Sequence, residues 1–190
     1  MIRIVAVTLL LLLGACVSAL APPRNINNAC SMKAERPDWF RALSRSEAKW
    51  GVPIHVQLAT IWRESRFVGD ARTPRKYFLG FIPAGRISSA YGYSQALDGT
   101  WDWYRDDTGR RFADRDDFDD ATDFIGWYMN ETLKRNGIPL NDAYRQYLAY
   151  HEGHTGYARG SYNSKSFLLR AANEVRNKAA NYQAQLRTCS

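Results

Sequence analysis

The sequence predicts an all-α domain, and three observations lead there. Apolar residues recur at helical spacing in most segments beyond residue 36, strand-like alternation is scarce, and Gly or Pro stands at the ends of the periodic stretches. The chain has 190 residues, enough for one domain with a sizeable core.

The first helix is expected in PDWFRALSRSEAKWG, where Trp39, Phe40, Leu43 and Trp50 fall at roughly helical spacings and Gly51 stops the run. Pro53 then opens a second helix, PIHVQLATIWRES, at the position where a missing N–H does no harm. From Arg72 to Ser89 the chain is rich in Arg, Lys, Gly, Pro and aromatics without a clear period. That stretch reads as a loop insertion, with at most a small irregular hairpin near Phe78 to Ile87. A third helix is expected over Leu97 to Asp106, packing Trp101 or Tyr104 inward. In DRDDFDDATDFIGWYMNETLKRNG the acidic start and the Lys134-Arg135 end both complement a helix dipole, and Gly137 suits the C′ position. The aspartates therefore read as a capped helix start. The ligand order and central glycine of a calcium loop are missing. NDAYRQYLAYHEG follows as a shorter helix, and SKSFLLRAANEVRNKAANYQAQLR as a long amphipathic one.

The N-terminus is of another kind. Arg3 precedes an unbroken apolar run from Ile4 to Leu13, too short for a permanent membrane span, which reads as a signal peptide over 1–15. Leu13-Gly14-Ala15-Cys16 resembles the bacterial lipobox, in which the cysteine is acylated and becomes the new N-terminus. That resemblance implies a lipid anchor at Cys16 and a place on the periplasmic side of a bacterial envelope; Val17 is compatible with the outer membrane. Residues 16–36 would form the lipidated end and a tether, and 37–190 the folded domain. With Cys16 acylated, Cys30 and Cys189 are left, and an exported compartment favours their pairing over two free thiols.

The net charge is +7, distributed in short groups such as RTPRK, GRR and RNK. Export and the lack of any nucleic-acid motif argue against nucleic acid as a partner. An anionic polymer outside the cytoplasm, or an anionic lipid surface, fits the charge better.

One carboxylate stands out. On the second helix Ile54, Leu58 and Ile61 form an apolar stripe, and at about 100° per residue Glu64 falls roughly 80° from Ile54. It then sits where a buried stripe meets a cleft or solvent, with Gln57 on the same flank. The negative end of the helix and neighbouring aromatics would both push its pKa upward, as a general acid near neutral pH requires.

Two further stretches add to this one. SSAYGYSQALDGTW carries Gly92 and Gln95 ahead of a helix, and YLAYHEGHTGY carries Ala149-Tyr150 and Gly153. Together with Glu64-Ser65, and in this order, they resemble the three signature motifs of the lysozyme-like lytic transglycosylases: Glu-Ser, Gly-Leu-Met-Gln and Ala-Tyr-Asn-Ala-Gly. Both apolar residues of the second motif are replaced by Tyr93-Ser94, and Asn-Ala of the third by His151-Glu152.

The resemblance implies a lysozyme-like fold and cleavage of peptidoglycan glycan strands without water, with no cofactor and no metal. Glu64 would be the acid and then the base. Tyr150 would orient Glu64 or the substrate's acetamido group, and Ser65 and Gln95 would hold sugar substituents. Tyr91 and Tyr93 would offer faces to sugar rings, and Glu152 would line the site. A lysozyme-type hydrolase would need a second carboxylate from Asp98, Asp102 or Glu152. A noncatalytic wall-binding lipoprotein is the alternative from another class. His151-Glu152-Gly153-His154 lacks the i, i+4 histidine pair of a helical zinc site.

Overall fold

A computed structural model describes residues 21–189, so the expected signal peptide and Cys16 lie outside the described residues. The architecture is α-dominated: α1 (Ala29–Glu35), α2 (Pro37–Trp50), α3 (Ile54–Glu64), α4 (Asp98–Thr108), α5 (Phe118–Asn136), α6 (Ala143–Ala158) and α7 (Ser166–Leu186). One hairpin interrupts them, β1 (Arg75–Phe78) antiparallel to β2 (Ile82–Arg86), and a 3₁₀ turn (Ser161–Ser164) precedes α7.

The helix ends follow the local chemistry of the sequence. Gly51 and Gly137 close α2 and α5 in the left-handed conformation that side chains resist. Asp117 caps α5 by accepting from the Asp120 N–H, and Asp142 caps α6 by accepting from the Arg145 N–H. Pro53 is the residue before α3, one position earlier than expected. Both Trp101 and Tyr104 turn inward from α4. The insertion does form a hairpin, which starts three residues earlier than the segment expected.

The second helix differs from its expected single stripe. Every residue from Val56 to Ile61 is buried, Gln57 and Thr60 included. Thr60 bonds back to the Val56 carbonyl and Gln57 Nε2 donates to the Val52 carbonyl, which is how polar side chains are accommodated there. α3 is thus an axial helix enclosed by α2, α5, α6 and α7. Its apolar periodicity is masked because a helix buried all round needs no polar face.

The N-terminal segment corrects the expected tether. Asn28 caps α1, Ala29 and Met32 are buried, and the strand of chain before it is bound to α7. Gln185 accepts from the Ala29 N–H at 2.7 Å and donates to the Asn27 carbonyl at 3.1 Å, while the Tyr182 hydroxyl donates to the Ile26 carbonyl. Cys30 and Cys189 form a disulfide with Cα atoms 5.6 Å apart, across a separation of 159 residues. The folded unit therefore begins well before residue 37. Polar, proline-containing composition suggested a linker, but capping and the apolar pair at 29 and 32 were enough for a docked helix.

Replacing both Cys30 and Cys189 by serine should lower the unfolding free energy by up to about 5 kcal/mol, the loop-closure estimate for a link of this span. A urea titration of the oxidised protein and of the double variant measures it as a fall in the extrapolated unfolding free energy, with a steeper slope because the unlinked unfolded chain is more expanded.

Candidate active site

Glu64 is the last residue of α3, and the chain leaves it through a strained turn. Arg66 and Phe67 both have positive φ, 53° and 63°. Packing holds them there: Phe67 is buried against Trp39 with ring centroids 5.8 Å apart, and the Arg66 guanidinium lies 3.7 Å over the Trp62 ring. The turn continues to Ala71, whose carbonyl accepts from the Gly92 N–H and from Gln95 Nε2. Gly92 is required by close approach: a Cβ there would lie 2.0 Å from the Arg115 carbonyl oxygen, and φ is 78°.

A cleft of about 430 Å³ opens beside Glu64, a size suited to a small ligand or part of a polymer. Its apolar floor is Phe124, Tyr128 and Tyr150, with Tyr128 and Tyr150 edge to face at 5.2 Å. The Glu64 carboxyl is pushed up to about 7 by desolvation, which outweighs the hydrogen bond from the Tyr147 hydroxyl and the nearby Arg63. Tyr147 is itself buried on α6, and both desolvation and Glu64 push its phenol upward. Arg63 also pairs with Glu174 at 3.2 Å, which shares its charge between the two carboxyls.

The residues expected around Glu64 divide into two groups. Tyr150, Gln95 and Glu152 line the cleft with it. Tyr150, however, donates its proton to the Ser94 carbonyl at 2.7 Å, and the phenol that bonds Glu64 is Tyr147. Both tyrosines lie on one side of α6, three residues apart, so the spacing in YRQYLAY held the signal for the second. Gln95 commits both amide hydrogens to backbone, at 2.9 Å to Ala71 and 2.8 Å to Gly92, which leaves its carbonyl oxygen for a ligand.

Ser65, Tyr91 and Tyr93 stand elsewhere. Ser65 is buried as the residue that ends α3, its hydroxyl bonded to the Ile61 carbonyl. Tyr93 is a core ring, edge-on to Trp39 and Phe118 at 5.5 and 5.1 Å. Tyr91 carries the Arg72 guanidinium 3.9 Å over its face and donates to Asp116 at 2.7 Å. Alternation along YGY could not separate these fates, because Gly92 turns the chain between the two rings.

The carboxylates considered as second groups are also separated. Asp98 pairs with Arg115 at 2.8 Å and Asp102 with Arg105 at 3.5 Å, both outside the Glu64 cleft. Glu152 lines the cleft, but its oxygens accept from Lys165 at 2.8 and 2.9 Å, from the Ser161 hydroxyl and from His151 at 3.2 Å. Those partners hold its carboxyl below the usual range against the opposing effect of burial. His151 and His154 diverge: the His154 ring stacks on Tyr128 at 4.4 Å and meets the Thr132 hydroxyl at 3.0 Å.

Among described residues lining the cleft, Glu64 and Glu152 are the carboxylates: one pushed up to about 7 by desolvation, the other held below the usual range by its partners. A family model described as a transglycosylase SLT domain matches residues 4–189, nearly the whole chain. Comparison with curated proteins returns no match. The fold, the sheltered acid and the match over 4–189 agree, and the chain belongs to the SLT transglycosylase family, whose substrate is the peptidoglycan of the cell envelope.

Proposed function

We propose that the enzyme cleaves the β-1,4 bond between N-acetylmuramic acid and N-acetylglucosamine without water, leaving 1,6-anhydromuramoyl ends, with Glu64 as acid and then base. The observation that carries this reading is the pairing of a carboxyl at about 7 with a cleft whose other carboxylate is already bonded on both oxygens. A hydrolase needs a second carboxylate free to attack the sugar or to position water. Glu152 has no such freedom.

The Glu64 O–H gives its proton to the glycosidic oxygen. The bond from C1 to that oxygen breaks with its electron pair going to the oxygen, and the sugar's own acetamido oxygen stabilises the cationic C1. Glu64, now a carboxylate, takes the proton of the C6 hydroxyl as O6 bonds to C1. The proton count closes on Glu64 and no water is consumed. Attack from within the same ring gains from proximity. Tyr147 donates to the ionised form and so stabilises the intermediate state of the catalyst. The apolar floor of Phe124, Tyr128 and Tyr150 keeps water from levelling the Glu64 pKa, and the Gln95 carbonyl accepts from a sugar substituent. Export with acylation at Cys16 would hold this cleft on the periplasmic side of the envelope, anchored by lipid.

Glu64→Gln should reduce cleavage of purified peptidoglycan by about 10²–10⁴-fold, the usual range for loss of a general acid. Mass spectrometry of the wild-type digest should show anhydro ends; reducing ends would instead establish a muramidase. Because Glu64 must start protonated, kcat/KM should be level below about pH 7 and fall tenfold per unit above it. Tyr147→Phe removes a bond that favours the carboxylate, so the alkaline limb should move to higher pH while kcat falls. A pH–rate series on both proteins tests this.

The same shift has a sign in stability. The folded Glu64 titrates near 7 against 4.5 for the ordinary side chain, so the folded state holds the extra proton between those values. Stability from this group is complete below about 4.5 and is lost as pH rises through about 7. Glu64→Gln, which cannot ionise, should therefore raise the thermal midpoint relative to wild type at pH 8 and leave it nearly unchanged at pH 4.5. Scanning calorimetry at the two pH values checks it.

A further inference from the structure

The hairpin is exposed at every strand position, yet its tip is apolar. Phe78, Leu79 and Phe81 are 62, 70 and 72% exposed, with Tyr77, Ile82 and Ile87 also open to solvent. These six account for most of the exposed large apolar side chains among the described residues, and five of them fall within residues 77–82. Leu79 is held at φ 52°, beside Gly80 at φ 80°. A glycine or asparagine would occupy that position with less strain, so an apolar side chain is kept at the tip against the backbone's preference.

Charge around the tip has one sign. From Ala71 to Leu97 the chain has no acidic residue, whereas it carries Arg72, Arg75, Lys76 and Arg86. Arg75, Lys76 and Arg86 have no carboxylate partner among the described residues; Arg86 donates only to the Thr73 carbonyl, at 2.6 Å. Thr73 and Ser88 bind each other at the base, where Thr73 Oγ1 donates to the Ser88 carbonyl at 2.9 Å. The ribbon is therefore fixed at its root and bare along its length. Two strands alone are marginal in water, which makes a covering medium at the tip the natural completion of the element.

We propose that this hairpin inserts its tip into the surface of an anionic phospholipid bilayer. Phe78, Leu79 and Phe81 enter the acyl boundary, and Arg75, Lys76 and Arg86 lie at the level of the phosphates. The chemistry is that of an interfacial anchor: apolar side chains remove area from water and flanking cations neutralise headgroup charge. A sugar platform would instead turn ring faces toward the cleft. Thr73 and Ala90, at the hairpin root, border the Glu64 cleft, but no tip residue does. Membrane contact would then orient the cleft mouth relative to the bilayer, and it would do so without any acyl chain at Cys16.

The test uses the chain from residue 17 onward, which keeps every described residue and cannot be acylated at Cys16. It is sedimented with vesicles of phosphatidylcholine alone and of phosphatidylcholine with phosphatidylglycerol. Binding should be at least tenfold tighter to the anionic vesicles and should weaken with salt. Phe78→Ser with Phe81→Ser, and separately Arg75→Gln with Lys76→Gln, should each weaken it at least tenfold. Both variants should keep the circular dichroism spectrum and should cleave soluble glycan fragments at the wild-type rate. No binding by the wild-type chain at low salt, or equal binding by the variants, overturns the proposal. So does a loss of glycan affinity in the tip variant, which would make the tip a sugar contact. Failure of Glu64→Gln to abolish cleavage would bear on the catalytic reading alone.

Discussion

Desolvation of one carboxyl is the constraint on which the rest of the molecule depends. α3 is buried on all sides over Val56–Ile61, so the residue that ends it cannot be fully surrounded by water. Placing a glutamate there obliges the fold either to pair its charge or to keep it protonated. Asp123 shows the first solution in the same molecule: Lys49 at 3.0 Å, the Trp50 indole at 2.9 Å and the Tyr104 hydroxyl at 2.8 Å enclose a buried anion. Glu64 has the second. Its one close donor is neutral, its neighbouring arginine is engaged by Glu174, and burial dominates. Two buried acids of similar chemistry thus sit in opposite surroundings: one is paired with cations, the other bonded to a neutral phenol.

The strained turn after Glu64 follows from the same requirement. A helix that stopped in open solvent could unwind, and its last residue would rotate into water. Here Arg66 and Phe67 are forced to positive φ, and the cost is borne by a buried aromatic cluster. Trp39 stacks on Phe118 at 3.9 Å and nearly parallel, with Phe67 and Tyr93 packed around the pair. That cluster draws on α2, the turn after α3, the Gly92 loop and the start of α5. The acid is held in register because four separate segments meet behind it.

Much of this was legible in the sequence, and the losses have definite causes. Helix ends were readable where capping chemistry is local, at Gly51, Asp117, Gly137 and Asp142. The position of Glu64 could be inferred from its place on α3, and its elevated pKa from the helix end and the aromatics nearby. The three-motif order pointed to the family. What failed was anything decided by long-range packing. A docked α1 looked like a tether because its apolar content is only two residues, and the partners that bind it lie on α7. Tyr91 and Tyr93 looked alike two residues apart, yet Gly92 sends one to a salt-bridged surface and the other to the core. Tyr147 has no place in the three motifs, although it precedes Tyr150 by three residues on the same side of α6.

The break in α6 lies beside the two carboxyls of the cleft, whose surroundings differ. Gly153 adopts φ 74° and ψ 157°, outside helical values, and interrupts the helix three residues beyond Tyr150. In an unbroken helix His154 would follow Tyr150 at i+4 and share its face. Instead the break lets His154 pack on Tyr128 and Thr132, away from Glu64. It also brings the following segment back, so that Ser161 and Lys165 reach Glu152 and hold it charged. In the proposed mechanism an ionised group fixed in place would supply field and shape, and proton exchange near neutrality would be left to the carboxyl that lacks a cationic clamp. The division of labour therefore resides less in which residue types are present than in where one glycine allows the backbone to turn.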